Sequence, residues 1–248
     1  MSQEFNTIIS YIKNIEGRYF KALSAFHIFE TLIELVDPSA VEQDTLEKNK
    51  KIIEKDFSSF FLPLKEALRV YFFLELAKFF DIADNSLHVT KIINYTQSNI
   101  AKLSVSDFAE YSQGQDPNFI AMLIREYKGV KYEDILAIQS DIEKNKEIIK
   151  RLKTYRDQYL AHDDIKKDEI NITGEEIRKL FNIIEKIIDM FLSKLISTNI
   201  IYDNAKIDTK DKTKMVVDYL KRFEVYRLKE INELYGLGEE EIRAVEGK

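Results

Sequence analysis

An all-α fold is what this sequence predicts, and three observations predict it. Apolar residues recur at three- and four-residue steps over most of the chain, the spacing that lines one face of a helix. Seven glycines and three prolines in 248 residues leave little material for hairpin turns. Cysteine is absent, so no disulfide framework or thiolate metal site substitutes for a core. An apolar content of 45% is enough to build that core by burial alone.

The elements follow in order. From Gln3 to Leu35, the residues Phe5, Ile8, Ile12, Ile15, Tyr19, Leu23, Phe26, Phe29 and Ile33 form the stripe of a long amphipathic helix, which Asp37-Pro38 ends. A second helix is expected from about Val41 to Lys55. A third runs from Ser58 to about Phe80, with Pro63 in or near its first turn. Its segment Val70–Phe80 is apolar on nearly every face, which suits the centre of a core or a subunit interface. Charges at Lys65, Glu66, Arg69, Glu75 and Lys78 make the same region a poor membrane span.

Shorter helices are expected at about Val89–Ser98 and Ser104–Glu110. Asp116-Pro117 is an N-cap with proline in the first helical position, and Gly129 is expected to close that helix. A long helix then runs from about Tyr132 into the Tyr159 region. Thr173 and Glu176 make a capping box for a helix whose stripe is Ile177, Leu180, Phe181, Ile184, Ile188, Phe191 and Leu195. The last helix is expected at about Lys212–Leu234, ending at Gly236. These elements are read as one domain over residues 1–248: a core at about 58–197, N-terminal helices at about 3–55 and a C-terminal helical extension at about 198–248.

Composition also bounds function. A net charge of -6 argues against a general nucleic-acid binder but permits a local basic patch. The polar, acidic stretch Met1–Asn6 does not resemble a secretory leader, so a cytoplasmic, non-membrane protein is expected.

One constellation carries chemistry. Heptads counted from Ile135 put Ile138, Ile142, Asn145, Ile149, Leu152, Arg156 and Tyr159 on one seam, so Arg156 stands where the pattern asks for an apolar residue. An unpaired buried charge costs several kcal/mol, so this arginine needs a partner or a task. At three-residue steps on an α-helix, Arg156, Tyr159 and His162 would form a slanting ridge spanning ~9 Å of axis. From Lys144 to Arg156 there are six basic residues against one acidic, Glu147.

The segment from Tyr155 to Asp164, with Arg156, then Asp157, then His162 after five intervening residues, resembles the signature of HEPN domains (higher eukaryote and prokaryote nucleotide-binding). Its wording is most similar to HEPN proteins of abortive-infection and toxin–antitoxin systems. The resemblance implies a HEPN-like helical bundle with additional N- and C-terminal helices. It also implies a metal-independent ribonuclease without cofactor, acting as a homodimer on RNA, with an antitoxin or other regulatory protein as a further partner. Under it, His162 is the general acid/base, Arg156 clamps phosphate and Asp157 orients one of them. Tyr159, Lys150, Arg151 and Lys153 are the candidate RNA contacts. Some HEPN toxins are silenced by modification of a tyrosine two positions after the histidine, and Asp164 stands there in this chain.

Other readings stay open. Arg156 suits an ion pair with Asp163 or with a carboxylate of another helix, His162 suits a helix terminus, and Tyr159 suits a core. The chain would then be a non-catalytic HEPN protein that binds a nucleotide or partner protein, or a helical scaffold. His27 sits among Leu23, Phe26 and Phe29 as a core or groove histidine, and His88 has no partner at ligand spacing. The pairs Asp163-Asp164 and Asp81–Asp84 lack metal-site spacing.

Overall fold

The computed structural model of the chain describes residues 1–83, 85–114, 116–161 and 170–236. Among them every regular element is helical: α1 (Gln3–Glu34), α2 (Gln43–Lys50), α3 (Ser58–Phe80), α4 (Val89–Asn99), α5 (Val105–Tyr111), α6 (Pro117–Glu126), α7 (Tyr132–Lys144), α8 (Lys146–Tyr155), α9 (Gly174–Ile196) and α10 (Tyr202–Tyr235). A π-helical turn extends α2 over Lys51–Asp56, another extends α8 over Arg156–Ala161, and a 3₁₀ turn at Ile100–Lys102 closes α4. The all-α expectation holds. No helix among the described residues is long and apolar enough to cross a membrane.

The chain divides into two compact units, and the division falls within α1 and α3. The first comprises Met1–Leu23 and Tyr71–Ile201. Its core is built as the stripes predict: Phe5, Ile8, Ile12, Ile15 and Tyr19 of α1 are sealed, as are Leu180, Ile184, Ile188, Phe191 and Leu195 of α9. Each such side chain contributes about 1.5–3 kcal/mol of gross hydrophobic stabilisation. Tyr19 meets the Phe181 ring edge-on at 6.0 Å, and its hydroxyl donates to Glu185 Oε2 at 2.7 Å. Phe72, Leu76, Ala77 and Phe79 are sealed too, so most of the apolar segment from Tyr71 to Phe80 is core, although Tyr71 itself is exposed.

That apolar helix also carries a buried acid. Glu75 accepts from Arg18 Nε at 2.9 Å and from Lys78 at 2.8 Å. The Arg18 guanidinium lies 4.8 Å from the Phe79 ring centroid and donates to the Leu87 carbonyl at 2.8 Å. Burial pushes the Glu75 carboxyl up, but the bonds from Lys78 and Arg18 outweigh it and hold the group below the ordinary glutamate range. The network therefore ties α1, α3 and the entry to α4 together.

The second unit comprises Ser24–Val70 and the described residues from Tyr202 on. Leu32, Ile52, Ile53, Phe61 and Val217 form its core cluster. Asn49 is sealed: its amide donates to the Leu35 carbonyl at 2.8 Å and its oxygen accepts from Lys221 at 2.9 Å. Lys210 bridges Glu30 and Glu34 at 2.8 and 3.3 Å. His27 is buried with Nδ1 3.2 Å from Glu30, a packed histidine as its sequence context suggests.

Three boundaries differ from expectation. α6 ends at Glu126 rather than at Gly129, because Tyr127 turns extended and stacks its ring on Phe108 at 5.1 Å. The long helix expected from Tyr132 breaks at Asn145 (φ -109°, ψ 14°), whose amide donates to the Asp141 carbonyl at 2.8 Å. An asparagine that bonds its own backbone competes with the helix. α10 begins at Tyr202, ten residues before Lys212, since its polar first turns still bury Tyr202 and use Lys210 as an anchor.

Arg18→Ala leaves Glu75 in the interior with only Lys78. The expected loss is on the order of 3 kcal/mol, as for other buried pairs that lose one partner. Denaturant unfolding of the variant against the parent chain measures it.

Candidate active site

α3 delivers a carboxylate, Asp81, straight after Phe80. The unpaired carbonyls of a helix C-terminus carry partial negative charge, so an acid there calls for a cation. Arg156 supplies it. Its Nη1 donates to Asp81 Oδ2 at 2.7 Å and its Nε donates to Asp157 Oδ1 at 2.7 Å. Asp81 Oδ1 accepts from the Ile82 N–H at 2.9 Å.

The side chains of Arg156, Asp81 and Asp157 are 20%, 29% and 54% exposed, so solvent reaches the cluster and reaches Asp157 most freely. Partial burial pushes Asp81 up, but the Arg156 bond and the Ile82 N–H outweigh it and leave the carboxyl below the usual aspartate range. The hydrogen bond to Asp157, joined by that to Asp81, raises Arg156 further despite the cost of burial. The guanidinium is therefore a fixed cation.

Local backbone geometry sets this arrangement. Arg156 opens a π-helical turn rather than another α-turn, so the step from Arg156 to Tyr159 is not the regular helical one expected, and His162, the third member of that ridge, lies outside the described residues. The wider turn stacks Tyr159 on Tyr155 at 5.0 Å, and Tyr155 packs on Phe73 of α3 at 4.9 Å. Tyr159 thus belongs to a ladder of rings leading back to α3. Extra residues in a helical turn occur often at functional sites.

The basic run divides between two tasks. Lys150 and Lys153, with Lys146, Thr154 and Asp157, line an open cleft of about 420 Å³ whose apolar side is Phe80, Ile82 and Ile149. Arg151 is engaged elsewhere: it pairs with Glu176 and donates to the Asn171 carbonyl at 2.6 Å, joining α8 to the capping box of α9. His162, Asp163 and Asp164 lie outside the described residues. His88 caps α4, its Nδ1 accepting from the Lys91 N–H at 3.1 Å.

Asp81 is the residue that sequence reasoning passed over. Metal spacing is the wrong test for it. The useful signal was an acid immediately after an apolar helix, where only a cation makes the position favourable. Among the described residues no cluster of three or more metal-ligating side chains occurs.

A family model described as HEPN_AbiU2: AbiU2 matches residues 9–216, from within α1 to within α10. No curated protein and no solved structure matches the chain.

Because its folded-state pKa is depressed, Asp81 contributes stability that is present above its unfolded value of about 3.9 and lost as pH falls through the lower folded value. Asp81→Asn removes that dependence. Melting temperatures recorded from neutral to strongly acidic pH are expected to fall less steeply in the variant below about pH 4, and identical acid slopes would show that the pair contributes nothing.

Proposed function

Since the chain belongs to the HEPN_AbiU2 family, a HEPN-type abortive-infection family, we propose that it is a metal-independent endoribonuclease that cleaves RNA through its own 2′-hydroxyl. The observation that carries the reading is Arg156, held by Asp81 and Asp157 at a π-turn beside a lysine-lined cleft. An RNA strand supplies the nucleophile, so the protein must move protons near neutral pH and neutralise charge on phosphorus.

His162 takes the proton of the 2′-hydroxyl as the O2′–P bond forms. Arg156 faces the charge that develops on the non-bridging oxygens. The P–O5′ bond then breaks, the leaving oxygen takes up a proton, and the products carry a 2′,3′-cyclic phosphate and a 5′-hydroxyl. Asp81 holds the guanidinium from α3, while the more exposed Asp157 orients it and can yield to phosphate. Lys150 and Lys153, which form no ion pair among the described residues, would attract the backbone. Tyr159 would stack on a base only through the face turned away from Tyr155, since Tyr155 covers the other.

One motif offers a single imidazole, whereas cleavage needs a base and an acid. A homodimer that brings two motif-bearing helices together provides both. Effector action in phage defence or a toxin–antitoxin module, with a regulatory protein partner, follows from the same reading.

A second reading has an observation of its own. The Arg156–Asp81 pair by itself suits a structural role in a HEPN protein that binds without cutting. The two separate on mutants. Under the nuclease reading, His162→Ala lowers cleavage by ~10²–10⁴-fold and leaves melting unchanged. Arg156→Ala lowers it by ~10²–10³-fold with a modest fall in melting temperature, because Asp81 loses its partner. Cleavage is assayed on RNA in EDTA, scoring cyclic-phosphate ends. Parent protein that never cuts, with an Arg156→Ala variant that only melts earlier, would favour the structural role.

A further inference from the structure

α10 presents an apolar stripe to solvent. Val216, Tyr219, Phe223 and Tyr226 are between 52% and 71% exposed, although an adjoining side of the same helix, about 120° away, buries Thr213, Val217 and Glu224. With Lys212 before it and Glu230 after it, this stripe falls within an arc of about 80° and runs ~27 Å along the axis. Single exposed apolar residues are ordinary, but a continuous helical row of them is the mark of a covered surface.

The order of residues along the row identifies what covers it. It reads cation, aliphatic, aromatic, aromatic, aromatic, anion, and it is nearly its own complement when reversed. We propose that a second copy of this chain docks here, α10 against α10, antiparallel about a two-fold axis near Lys221. In that register Tyr219 meets the partner copy's phenylalanine at 223, Val216 meets its tyrosine at 226, and Lys212 meets its glutamate at 230. Each contact occurs twice, as a two-fold axis requires.

Lys212 and Glu230 are exposed and have no ion pair with one another or with any other described residue. A parallel arrangement would set Lys212 against Lys212 and Glu230 against Glu230, which charge complementarity rejects. Arg222 lies 6.0 Å over its own Tyr219 ring, outside the apolar row, and Asp218 is paired with Lys221 at 2.6 Å, so the centre of the row itself carries no charged side chain.

A third observation agrees. Val216 and Lys212 also form one wall of an apolar groove of about 390 Å³, whose other wall includes Phe60, Phe61 and Leu64. Phe60 is itself largely exposed. The antiparallel register brings the partner's tyrosine ring at 226 to the mouth of this groove, and the same occurs at the symmetric site. This contact is separate from the pairing of motif-bearing helices and does not depend on ribonuclease activity.

The absence of native cysteine makes the test direct. Val216→Cys and Tyr226→Cys are prepared in the full chain and oxidised mildly, alone and mixed. In the proposed register residues 216 of the two copies are ~15 Å apart along the axis, beyond disulfide reach, and so are residues 226. The mixture is therefore expected to give several-fold more disulfide-linked dimer than either variant alone. Lys212→Glu introduced into both variants should lower that yield, and adding Glu230→Lys should restore it. Circular dichroism confirms folding, which these exposed positions should not disturb. Equal crosslinking by single variants would indicate a parallel pair and overturn the proposal. So would no crosslink between folded proteins, or crosslinking only when RNA is added, which would assign the face to RNA. None of these outcomes bears on cleavage in EDTA, so the nuclease reading is judged separately.

Discussion

The pairing of Arg156 with Asp81 is the constraint around which the motif region is organised. A cation on a packed face and an acid at a helix C-terminus are each unfavourable alone, and each becomes acceptable only in contact with the other. Meeting that condition fixes where the π-turn begins relative to the end of α3. It also places Tyr155 against Phe73 and Tyr159 against Tyr155, so the aromatic ladder and the ion pair support one geometry. A guanidinium held by two carboxylates in this way has little freedom left to lose.

Charge in this protein is allocated by position rather than by total. The chain is acidic overall, yet α8 concentrates cations. Arg151 is used to secure α9, as Arg18 secures α3 and Lys210 secures α10, and each has a carboxylate within bonding distance. Lys150 and Lys153 are left to line the cleft beside Asp157. At Arg18 and Arg151 the planar fork satisfies a carboxylate and a backbone carbonyl together, which the single ammonium of a lysine does less readily.

Much of the fold was legible in the residues. The stripe of α9 and that of α1 as far as Phe26 were, because period-3.6 burial leaves a direct trace in sequence, whereas Ile33, read on the same α1 stripe, is exposed. The caps at Asp116 and at Thr173–Glu176 were as well, because capping depends on residues only two or three apart, and both form as read. The break at Asn145 and the early start of α10 were not. Asparagine is compatible with a helix until its side chain finds the carbonyl at 141, and the first turns of α10 are polar and held by Lys210 reaching Glu30 and Glu34.

The candidate site divides along the same line. Sequence alone determined the helical class, the position of Arg156 against the apolar pattern and its adjacency to Asp157, since these depend on composition, periodicity and neighbouring residues. Only the tertiary structure decided that Asp81 is the partner of Arg156, that Arg151 is committed to Glu176, and that the turn at 156 is π rather than α. An ion pair between residues 75 positions apart leaves no periodic trace in the chain. It exists because the ends of α3 and α8 meet, where Phe73 also packs on Tyr155.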